Sequence, residues 1–352
     1  MPAVISSFRT IWLSADAATV QILDQTLLPQ TSRIVRLKTV EQAARAILTM
    51  QVRGAPLIGV TAAYGVVLAI RRDPSDANLR AALELLRNTR PTAVNLQWAL
   101  EAMRHVLAPL PPAKRLEAAL AKADAILKQE TFLTEEIGRH GLALLKKLHK
   151  AKTTPGPLQI LTHCNAGKLG TPGLGTATAP MYLAQEAGLP LHVWVSETRP
   201  RIQGALTAWE LSQEKIPLTV ITDNSAGHLL QRGLVDVVIV GADRVTSRGD
   251  VANKIGTYLK ALAAQAHAVP FYVAVAGNTI DWTLRDGVKE IPIEERSPSE
   301  VTHLAGVSIY PPNIAARNDA FDVTPAPLIT GFITERGVVR PAGLKKVFAD
   351  HP

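Results

Sequence analysis

The feature that most constrains the fold is a series of short apolar runs that begins after residue 157. The runs are LQILTHC, LHVWVSET, LTVITD, VDVVIVGADRV and FYVAVAGNTI, and they alternate with helical stretches such as TATAPMYLAQEAG and VANKIGTYLKALAAQAH. Strands that are buried on both faces lose the polar alternation of half-exposed strands. Apolar runs separated by helices are therefore typical of a parallel sheet built from βαβ units. We expect an α/β fold in this half of the chain.

The first 152 residues show a different pattern. Short apolar segments (TIWLSA, TVQILDQ and RIVRLK) predict a few strands within the first forty residues, and apolar residues then recur at helical spacing. Five helices are predicted. The first is capped by Thr39, the second has Pro56 in its first turn, and the third begins at Asp76 or Asn78. The fourth begins at Pro91, and the fifth is a long helix from about Pro112 to Lys150. The basic segment KKLHKAKTTPGP is typical of a linker. We predict a mainly helical domain with initial short strands at 1–152 and an α/β domain at 153–352.

The composition narrows the classes of function. Apolar residues make up 47% of the 352 residues and charged residues 19%, which is typical of a globular protein with a sizeable core. The single cysteine excludes an internal disulfide framework and any multi-cysteine zinc or iron–sulfur site. The histidines are scattered, and none stands in a His-Glu-x-x-His pattern. We therefore expect neither a metal nor a cofactor.

Neither nucleic acid nor a membrane is an expected partner. Aromatic residues make up 5% of the chain, and no basic stretch is interleaved with them. The opening MPAVISSFRTIWLSADAA lacks the continuous apolar core of a signal peptide. The uncharged apolar stretch 55–70 is shorter than a membrane-spanning helix requires. We expect a soluble protein of a reducing compartment, most simply the cytoplasm.

Charge is distributed unevenly along the chain. Residues 1–152 contain 21 Lys and Arg against 12 Asp and Glu, whereas residues 153–352 contain 17 against 18. A positively charged half attracts anionic ligands. Lysine and arginine side chains that merely solvate helix faces would give the same count, so the charge alone leaves both interpretations open.

Polar or reactive side chains follow all five predicted strands. They are Cys164, Glu197, Asp223, Asp243 and Asn278. Open parallel sheets bind their ligands just beyond the carboxyl ends of the strands, so these positions predict a site at one edge of the sheet. Loops after strands are polar in any fold of this kind, and the pattern is therefore only a first indication.

The loop after the first strand, HCNAGKLGTPGLGTAT, is rich in glycine. Gly167, Gly170, Gly173 and Gly175 allow close approach of a ligand, and an anion would be favoured where the loop enters a helix. The loop is not a P-loop, because Leu169 stands where Ser or Thr would be required. It also lacks the third glycine or alanine of the dinucleotide fingerprint, which disfavours a dehydrogenase. A turn that binds nothing is the alternative.

Two of the strand-end residues have the chemistry of catalytic groups. Nearby backbone N–H groups or positive charge would lower the pKa of the Cys164 thiol, whereas a lone cysteine can also serve as a small buried apolar residue. Asp243 follows an apolar strand, and a carboxyl held against apolar neighbours can have a raised pKa and act as a general acid. The alternative for Asp243 is a cap or an ion pair with Arg244 or Arg248.

Basic and amide side chains complete the candidate site. Arg53 in RGAP and Arg90 in RPTAVNL each precede a predicted helix, and the planar guanidinium group matches the oxygens of a phosphate. Asn253 and Lys254 are predicted to open the helix after the fourth strand, at the same edge as Asp243. Together these residues predict a site for a small phosphorylated, hydroxyl-rich ligand, although any single arginine can be a solvated surface charge.

Eight motifs, taken in order, resemble those of the methylthioribose-1-phosphate isomerase family. They are RGAPLIG (53–59), RPTAVNL (90–96), THCNAG (162–167), SETRPRIQGALTAWEL (196–211), ITDNSAG (221–227), GADRV (241–245), GDVANKIGTY (249–258) and IPIEERSP (291–298). The resemblance covers most of the chain, from LDQTLLP (23–29) to ITGFITERGVVRP (329–341). The wider superfamily also contains regulatory subunits of a translation-initiation exchange factor and ribose-1,5-bisphosphate isomerases.

The resemblance implies an aldose–ketose isomerase of methionine salvage that converts 5-methylthioribose 1-phosphate to 5-methylthioribulose 1-phosphate. It implies that Asp243 is the proton donor and Cys164 the other catalytic group. The residues that match the family's substrate contacts are Arg53, Gly54, Ala55, Arg90, Gln203, Asn253 and Lys254. The resemblance also implies a Rossmann-like C-terminal domain, a mainly helical N-terminal domain and a homodimer.

One segment departs from the family pattern. The loop after THCNAG reads KLGTPGLGTATAP, where the family more usually has a sequence such as ALATGGYGTAL. The resemblance therefore does not imply the details of this loop or the range of accepted substrates. An isomerase of ribose 1,5-bisphosphate or 5-deoxyribose 1-phosphate is the alternative enzyme, and a regulatory protein that only senses a sugar phosphate is the non-enzymatic alternative.

The implied reaction suits these residue types. The substrate carries its phosphate on the anomeric oxygen, so its ring cannot open as a free hemiacetal does. An acid is therefore needed while the ring C–O bond breaks, and Asp243 can serve if apolar neighbours keep it protonated. A hydrogen then moves from C2 to C1, either through an enediol-like intermediate with Cys164 as the base or as a hydride while Cys164 and its neighbours stabilise charge. The sequence leaves both routes open.

Overall fold

We describe the fold from a computed structural model of the chain, which describes residues 8–90 and 94–350. Packing groups the chain into two compact units, one of Met1–Glu135 with Gly167–Gly175 and the other of Glu136–Ala166 with Thr176–Pro352. A long helix passes from the first unit into the second, since it runs over Pro112–Ala151. Residue 152, the predicted domain boundary, follows the last residue of this helix.

The first unit combines a small antiparallel sheet with a group of helices. Its elements are β1 (Ile11–Leu13), β2 (Val20–Leu23), β3 (Ile34–Leu37), α1 (Val40–Leu48), α2 (Ala55–Arg72), α3 (Asp76–Arg87), α4 (Val94–Leu107) and the first part of α5 (Pro112–Ala151). The three strands pair in the order β1-β2-β3. Four predicted starts are confirmed, because the Thr39 hydroxyl accepts a hydrogen bond from the Gln42 N–H, Pro56 lies in the first turn of α2, α3 begins at Asp76 and α5 begins at Pro112. The predicted start at Pro91 lies outside the described residues.

Helix α2 is the core of the first unit. It is apolar on nearly all sides, and 78% of its 18 residues are buried within the chain. Among the described residues it alone has the length and hydropathy of a membrane-spanning helix, but these are also properties of the central helix of a soluble protein. Leu57, Val60 and Ile70 belong to one apolar cluster with residues of α1, α3 and α4, which shows what this apolar surface packs against.

The second unit contains most of the strands. Its elements are the rest of α5, β4 (Leu158–Thr162), α6 (Ala179–Glu186), β5 (Leu191–Ser196), α7 (Gln203–Gln213), β6 (Leu218–Ile221), α8 (Ser225–Gln231), β7 (Val237–Val240), β8 (Arg244–Thr246), β9 (Val251–Lys254), α9 (Thr257–Ala266), β10 (Phe271–Ala274), β11 (Ile280–Asp281), α10 (Gly287–Glu290), α11 (Ser299–Thr302), β12 (His303–Leu304), β13 (Val307–Ser308), β14 (Phe321–Thr324), β15 (Gly331–Thr334), β16 (Gly337–Val339) and α12 (Leu344–Val347). The predicted α/β class is confirmed.

The main sheet of the second unit has seven strands in the order β16-β15-β10-β7-β4-β5-β6. Every adjacent pair is parallel except β15 with β16. From β4 the chain builds outward through β5 and β6 on one side, and then through β7, β10 and β15 on the other. The strand order therefore reverses between β4 and β7, which is where open α/β sheets bind ligands.

A second sheet in this unit, with the order β11-β8-β9-β14, corrects two predictions. The run VDVVIVGADRV forms two strands, β7 and β8, because the chain leaves the main sheet after Val240. Asn253 and Lys254 lie in strand β9 and do not open a helix, which begins only at Thr257. The physical reason is the turn at Gly249, whose φ of 93° reverses the chain so that β9 pairs with both β8 and β14.

Candidate active site

The two predicted catalytic residues follow neighbouring strands of the main sheet. Cys164 comes two residues after β4, and Asp243 comes three residues after β7. These strands pair in parallel, with Ile160 opposite Val237 and Leu161 opposite Val238. The carboxyl ends of both strands therefore lie at the same edge of the sheet, as predicted from the sequence, and the structure shows that the strand order reverses between them.

The backbone of Cys164 is held in an uncommon conformation. Its φ is 66°, in the left-handed region that residues other than glycine seldom occupy. Its N–H donates to Thr198 Oγ1 at 3.0 Å, and its carbonyl oxygen accepts a hydrogen bond from Thr207 Oγ1 at 2.7 Å. Cys164 is half-buried and forms no disulfide, because it is the only cysteine of the chain. Left-handed residues held by their surroundings are concentrated at functional sites.

Asp223 organises the segment that follows β5. Its carboxylate accepts hydrogen bonds from Ser196 Oγ at 2.6 Å, from the Thr198 N–H at 2.9 Å and from the Arg199 N–H at 2.7 Å. Burial alone would raise the pKa of Asp223, but these hydrogen bonds and the Lys260 ammonium group lower it below its ordinary value. Asp223 is thus an ionised anchor that fixes the neighbouring loop.

His163, the residue before Cys164, is buried and neutral. Its Nε2 lies 2.8 Å from the carbonyl oxygen of Ile255, and because a carbonyl oxygen only accepts, Nε2 carries the ring proton. Burial and the nearby Lys260 ammonium group lower the pKa of His163 well below its ordinary value, although the Asp223 carboxylate acts in the opposite direction. At neutral pH this histidine supports the loop as an uncharged ring.

Asp243 is exposed, whereas the first of the two interpretations from the sequence held its carboxyl against apolar neighbours. Its side chain is exposed in the free chain, because Gly241 and Ala242 carry it beyond the buried end of β7. Its backbone N–H donates to the Ala252 carbonyl oxygen at 2.9 Å, which places it beside β9. Arg244, its predicted ionic partner in the alternative interpretation, lies 3.6 Å from Asp281.

The neighbouring strand β9 carries two of the predicted substrate-binding residues. Asn253 is buried, and its Nδ2 donates to Thr257 Oγ1 at 3.0 Å. Lys254 is also buried, and its Nζ lies 4.3 Å from the centre of the Phe321 ring. A cation above an aromatic face is stabilised by the ring electrons, so the positive charge of Lys254 is held in place. The structure therefore brings Asp243 and these two residues onto adjacent segments of the second sheet.

Gln203, which the resemblance implies as a substrate contact, begins helix α7 and is buried. Within the described part of the chain, its Oε1 has no hydrogen-bond partner. Such an oxygen is costly to bury unless a ligand supplies a donor. The start of α7 is fixed by Gly204, where an added Cβ would lie 2.1 Å from the Ser196 carbonyl oxygen.

The first unit carries the other predicted contacts. Arg53, Gly54 and Ala55 lie at the start of α2, and Gly54 adopts a φ of 89°. An added Cβ at Gly54 would lie 2.2 Å from the Gly170 carbonyl oxygen, so only glycine fits there. Arg90 is half-buried and directly precedes the segment 91–93, which lies outside the described residues.

The glycine-rich loop serves packing rather than forming an open cradle. Residues 167–175 belong to the first unit, and nearly all of them are buried. Gly170 lies against Gly54, and an added Cβ at Gly173 would lie 2.4 Å from Thr134 Oγ1. Helix α6 begins at Ala179, directly after the last residue of this loop, as predicted.

A cavity of about 320 Å³ lies in the first unit beside this loop. It is lined by residues that include Phe8, Trp12, Leu127, Thr131 and the buried Lys168. None of the predicted site residues lines it. Within residues 8–90 and 94–350, no group of three or more His, Cys, Asp or Glu side chains could hold a metal ion.

The structure therefore brings the predicted residues together in two sets. Cys164, Gln203, Asp243, Asn253 and Lys254 belong to the second unit, and Arg53, Gly54, Ala55 and Arg90 belong to the first. The sequence analysis missed the hydroxyl groups that hold Cys164. Thr198 and Thr207 both lie in the motif SETRPRIQGALTAWEL, but only their hydrogen bonds to Cys164 distinguish them from other buried threonines.

An α/β protein with a thiol and a carboxyl beyond adjacent parallel strands belongs to the class that binds small ligands at the reversal of the strand order. The model of the Initiation factor 2 subunit family matches residues 51–341. A methylthioribose-1-phosphate isomerase from Brucella anthropi is 56% identical over 97% of this chain and 98% of its own length. The chain belongs to the methylthioribose-1-phosphate isomerase family, within the broader Initiation factor 2 subunit family.

Two solved structures resemble the whole chain. The 5-methylthioribose 1-phosphate isomerase from Pyrococcus horikoshii has a TM-score of 0.89 at 38% identity, over 97% of this chain and 96% of the other. The translation initiation factor eIF-2B subunit delta from A. fulgidus has a TM-score of 0.86 at 36% identity, over 97% of this chain and 99% of the other. The fold is thus shared by proteins with two different names.

Proposed function

We propose that the chain is an aldose–ketose isomerase that converts 5-methylthioribose 1-phosphate to 5-methylthioribulose 1-phosphate, a step of methionine salvage. The observation that carries this proposal is the likeness, over nearly the full length of both chains, to an isomerase of this name at 56% identity. The geometry supports it, because Cys164 and Asp243 follow adjacent parallel strands where the strand order reverses.

Asp243 is the proposed acid. The reaction moves one hydrogen from C2 to C1, so C2 is oxidised and C1 is reduced without an external oxidant. When the ring C–O bond at C1 breaks, the ring oxygen gains a proton, which we assign to the Asp243 carboxyl group. The C2 hydroxyl loses a proton as the C2 carbonyl forms, which can return to the Asp243 carboxylate, so no net proton is consumed. Because this carboxyl is exposed in the free chain, the bound substrate itself supplies the dry surroundings that favour its protonated form.

Cys164 is the proposed partner in the transfer of hydrogen. Its side chain stands on a backbone that hydrogen bonds fix on both sides, so the position of its Cβ is defined. From there the sulfur either takes the C2 proton or stabilises the charge that develops as a hydride moves. Both roles require a group whose position is set before the substrate arrives.

The remaining predicted residues are the proposed substrate contacts. Arg53 and Arg90 supply guanidinium groups that suit the phosphate, and Gly54 and Ala55 supply backbone at the start of α2. Gln203 is assigned to a sugar hydroxyl, because its buried oxygen accepts no other hydrogen bond from the described residues. Asn253 and Lys254 are assigned to the sugar or its phosphate from strand β9.

The test is isomerisation of 5-methylthioribose 1-phosphate by the purified chain and by Cys164→Ser and Asp243→Asn. We expect turnover by the unsubstituted chain and a loss of about 10²- to 10⁴-fold in each variant, typical of removing a positioned acid or base. Asp286→Asn is the matched control, since Asp286 is exposed and its capping role can be filled by asparagine. A folded, substrate-saturated chain without turnover would overturn the proposal.

Two further substrates and one non-enzymatic role are the competing candidates. Measuring kcat/KM for ribose 1,5-bisphosphate, for 5-deoxyribose 1-phosphate and for 5-methylthioribose 1-phosphate shows which of the three sugars is the substrate. The likeness to eIF-2B subunit delta favours the third, a sensor that binds a sugar phosphate without converting it. A sensor would bind the sugar equally well in Cys164→Ser and Asp243→Asn and would show no turnover in any form.

We also propose a Rossmann-like layout for the C-terminal domain, a domain boundary at residue 152, a homodimer and a cytoplasmic location. The layout is supported by the order β15-β10-β7-β4-β5-β6 of the parallel strands, and the boundary by the end of α5 at Ala151. Light scattering during size-exclusion chromatography tests the dimer, for which a mass near 37.8 kDa would be the contradicting result.

A further inference from the structure

We propose that Thr198 and Thr207 are positioning residues that together set the direction of the Cys164 thiol. The inference rests on the proposed function, which gives that thiol its role in the reaction. Neither threonine is among the residues that the family resemblance implies as substrate contacts or catalytic groups. Both are identified by what their hydroxyl groups touch.

The first step of the argument is that the two hydroxyls hold both polar atoms of the same residue. Thr198 Oγ1 accepts from the Cys164 N–H at 3.0 Å, and Thr207 Oγ1 donates to the Cys164 carbonyl oxygen at 2.7 Å. With its N–H and its C=O both fixed, Cys164 has little freedom in φ or ψ. The Cα–Cβ bond therefore points in one direction, which restricts the sulfur to the staggered positions about that bond.

The second step is that Cys164 would not keep this conformation by itself. Its φ of 66° lies in the left-handed region, which is unfavourable for a residue with a Cβ. Such a conformation persists only when the surroundings impose it. The two threonine hydroxyls hold Cys164 in this conformation, because they form hydrogen bonds with the peptide groups on either side of its Cα.

The third step is that both hydroxyls are themselves fixed. Thr198 is fully buried, its hydroxyl donates to the Ser196 carbonyl oxygen at 2.9 Å, and its N–H donates to the Asp223 carboxylate at 2.9 Å. Thr207 is 1% exposed and also accepts from Asn165 Nδ2 at 3.0 Å. The Thr207 hydroxyl thus donates one hydrogen bond and accepts another. The Thr198 hydroxyl accepts from Cys164 and has two acceptors in range, the Ser196 carbonyl oxygen at 2.9 Å and His163 Nδ1 at 3.4 Å.

The arrangement joins the loop after β4 to two neighbouring segments. Thr198 stands on the loop between β5 and α7, whereas Thr207 stands one turn inside α7. Loss of either hydroxyl frees one side of Cys164 without removing the thiol or any proposed substrate contact. We therefore expect a lower kcat with little change in KM, because misplacing a reacting group by about 1 Å can lower the rate of the chemical step by about 100-fold.

The experiment uses the fact that Cys164 is the only cysteine of the chain. Alkylation by iodoacetamide, followed by mass spectrometry over a range of pH, reports on this thiol alone and needs no isomerase activity. The variants are Thr198→Val and Thr207→Val, which remove a hydroxyl at nearly constant volume, and Thr198→Ser and Thr207→Ser, which keep it. Thr334→Val is the matched control, because Thr334 is fully buried in the same unit and its hydroxyl donates to Gly337.

We expect each valine variant to lower kcat by about 10- to 100-fold with KM within about twofold, and to change the pH profile of alkylation. The serine variants and Thr334→Val should match the unsubstituted chain in both measurements. Unchanged alkylation and kcat in folded valine variants would overturn the proposal. Should a valine variant fail to fold, rapid hydrogen exchange of the Cys164 amide in the unsubstituted chain would overturn it equally.

The two proposals fail in distinguishable ways. If the chain does not isomerise the sugar phosphate, the proposed function fails, yet the alkylation profiles still show whether the threonines control the thiol. If the chain isomerises its substrate and the valine variants behave like Thr334→Val, the function stands and the positioning role is wrong.

Discussion

Gly241 and Ala166 lie against each other just beyond the ends of strands β7 and β4. A Cβ built on Gly241 would lie 2.3 Å from the Cβ of Ala166, a separation that real Cβ atoms do not adopt. Ala166 cannot easily retreat, because its carbonyl oxygen accepts hydrogen bonds from the Thr176 and Ala177 N–H groups. The close approach of the segments that carry Cys164 and Asp243 therefore depends on the missing side chain at position 241.

Gly241→Ala should consequently reduce both stability and activity. Overpacking of a well-packed contact typically costs about 1–3 kcal/mol, and the shift needed to relieve it would separate the two proposed catalytic residues. Thermal unfolding and kcat measure the two effects. Gly227→Ala is the matched control, since nothing lies within 4 Å of its added Cβ in α8, and alanine in a helix should gain about 0.5–1 kcal/mol. Equal melting temperatures for the two variants would contradict this prediction.

Gly54→Ala tests a second close contact, in the first unit. The substitution meets two obstacles, a φ of 89° and a Cβ position 2.2 Å from the Gly170 carbonyl oxygen. Gly188→Ala meets only the first, because its φ is 70° but nothing lies within 4 Å. The control should cost about 1–2 kcal/mol, as expected for a left-handed alanine, and Gly54→Ala clearly more. Urea unfolding of both variants provides the comparison, and similar losses would mean that the Gly170 contact relaxes freely.

The spacing of apolar residues was sufficient to predict the α/β class, the helical first part and the long helix α5. Burial of a helix or strand on one face or on both gives its apolar residues a regular spacing in the sequence. It was not sufficient at β9, where VANK is followed directly by a helical stretch and the two were predicted as one helix. Only pairing with β8 and β14 makes these four residues a strand, and such pairing involves residues distant in the sequence.

The candidate site shows the same division. Strand ends gave five candidate positions that include Cys164 and Asp243, because the position of a residue after a buried strand can be counted along the chain. Their thiol and carboxyl chemistry and the family resemblance selected these two. The exposure of Asp243 could not be predicted from its position along the chain, because it depends on how far Gly241 and Ala242 extend past the sheet. The hydrogen bonds of Thr198 to Cys164 join residues 34 positions apart and leave no periodic signal.

Gln203→Leu should separate binding from stability. The Gln203 Oε1 atom is buried and accepts no hydrogen bond from the described residues, so replacing it with an apolar side chain should leave thermal stability unchanged or raise it. Loss of a hydrogen bond to a sugar hydroxyl should raise KM for the sugar phosphate by about tenfold. Gln159→Leu is the control, because it removes another unpartnered buried oxygen near the opposite end of β4. An unchanged KM in folded Gln203→Leu would remove Gln203 from the proposed contacts.

Asp322→Asn should change how stability depends on pH. Burial raises the pKa of Asp322 to about 6, although the N–H groups of Gly256 and Tyr258 and the Lys260 ammonium group act in the opposite direction. The folded chain therefore keeps this proton at pH values where the unfolded chain has lost it. Because the unfolded state then binds fewer protons, the contribution of Asp322 to the free energy of unfolding falls as pH rises from about 4 to about 6 and is constant above that range.

The measurement is the free energy of unfolding of the unsubstituted chain minus that of Asp322→Asn, determined by urea unfolding between pH 4 and pH 8. This difference should decline up to about pH 6 and then level off. Asp16→Asn is a control of opposite sign, since a hydrogen bond from Ser14 lowers the pKa of the exposed Asp16 and its contribution is lost only in more acidic solution. A difference that rises between pH 4 and pH 6 would show that Asp322 is ionised throughout, with its two backbone hydrogen bonds outweighing its burial.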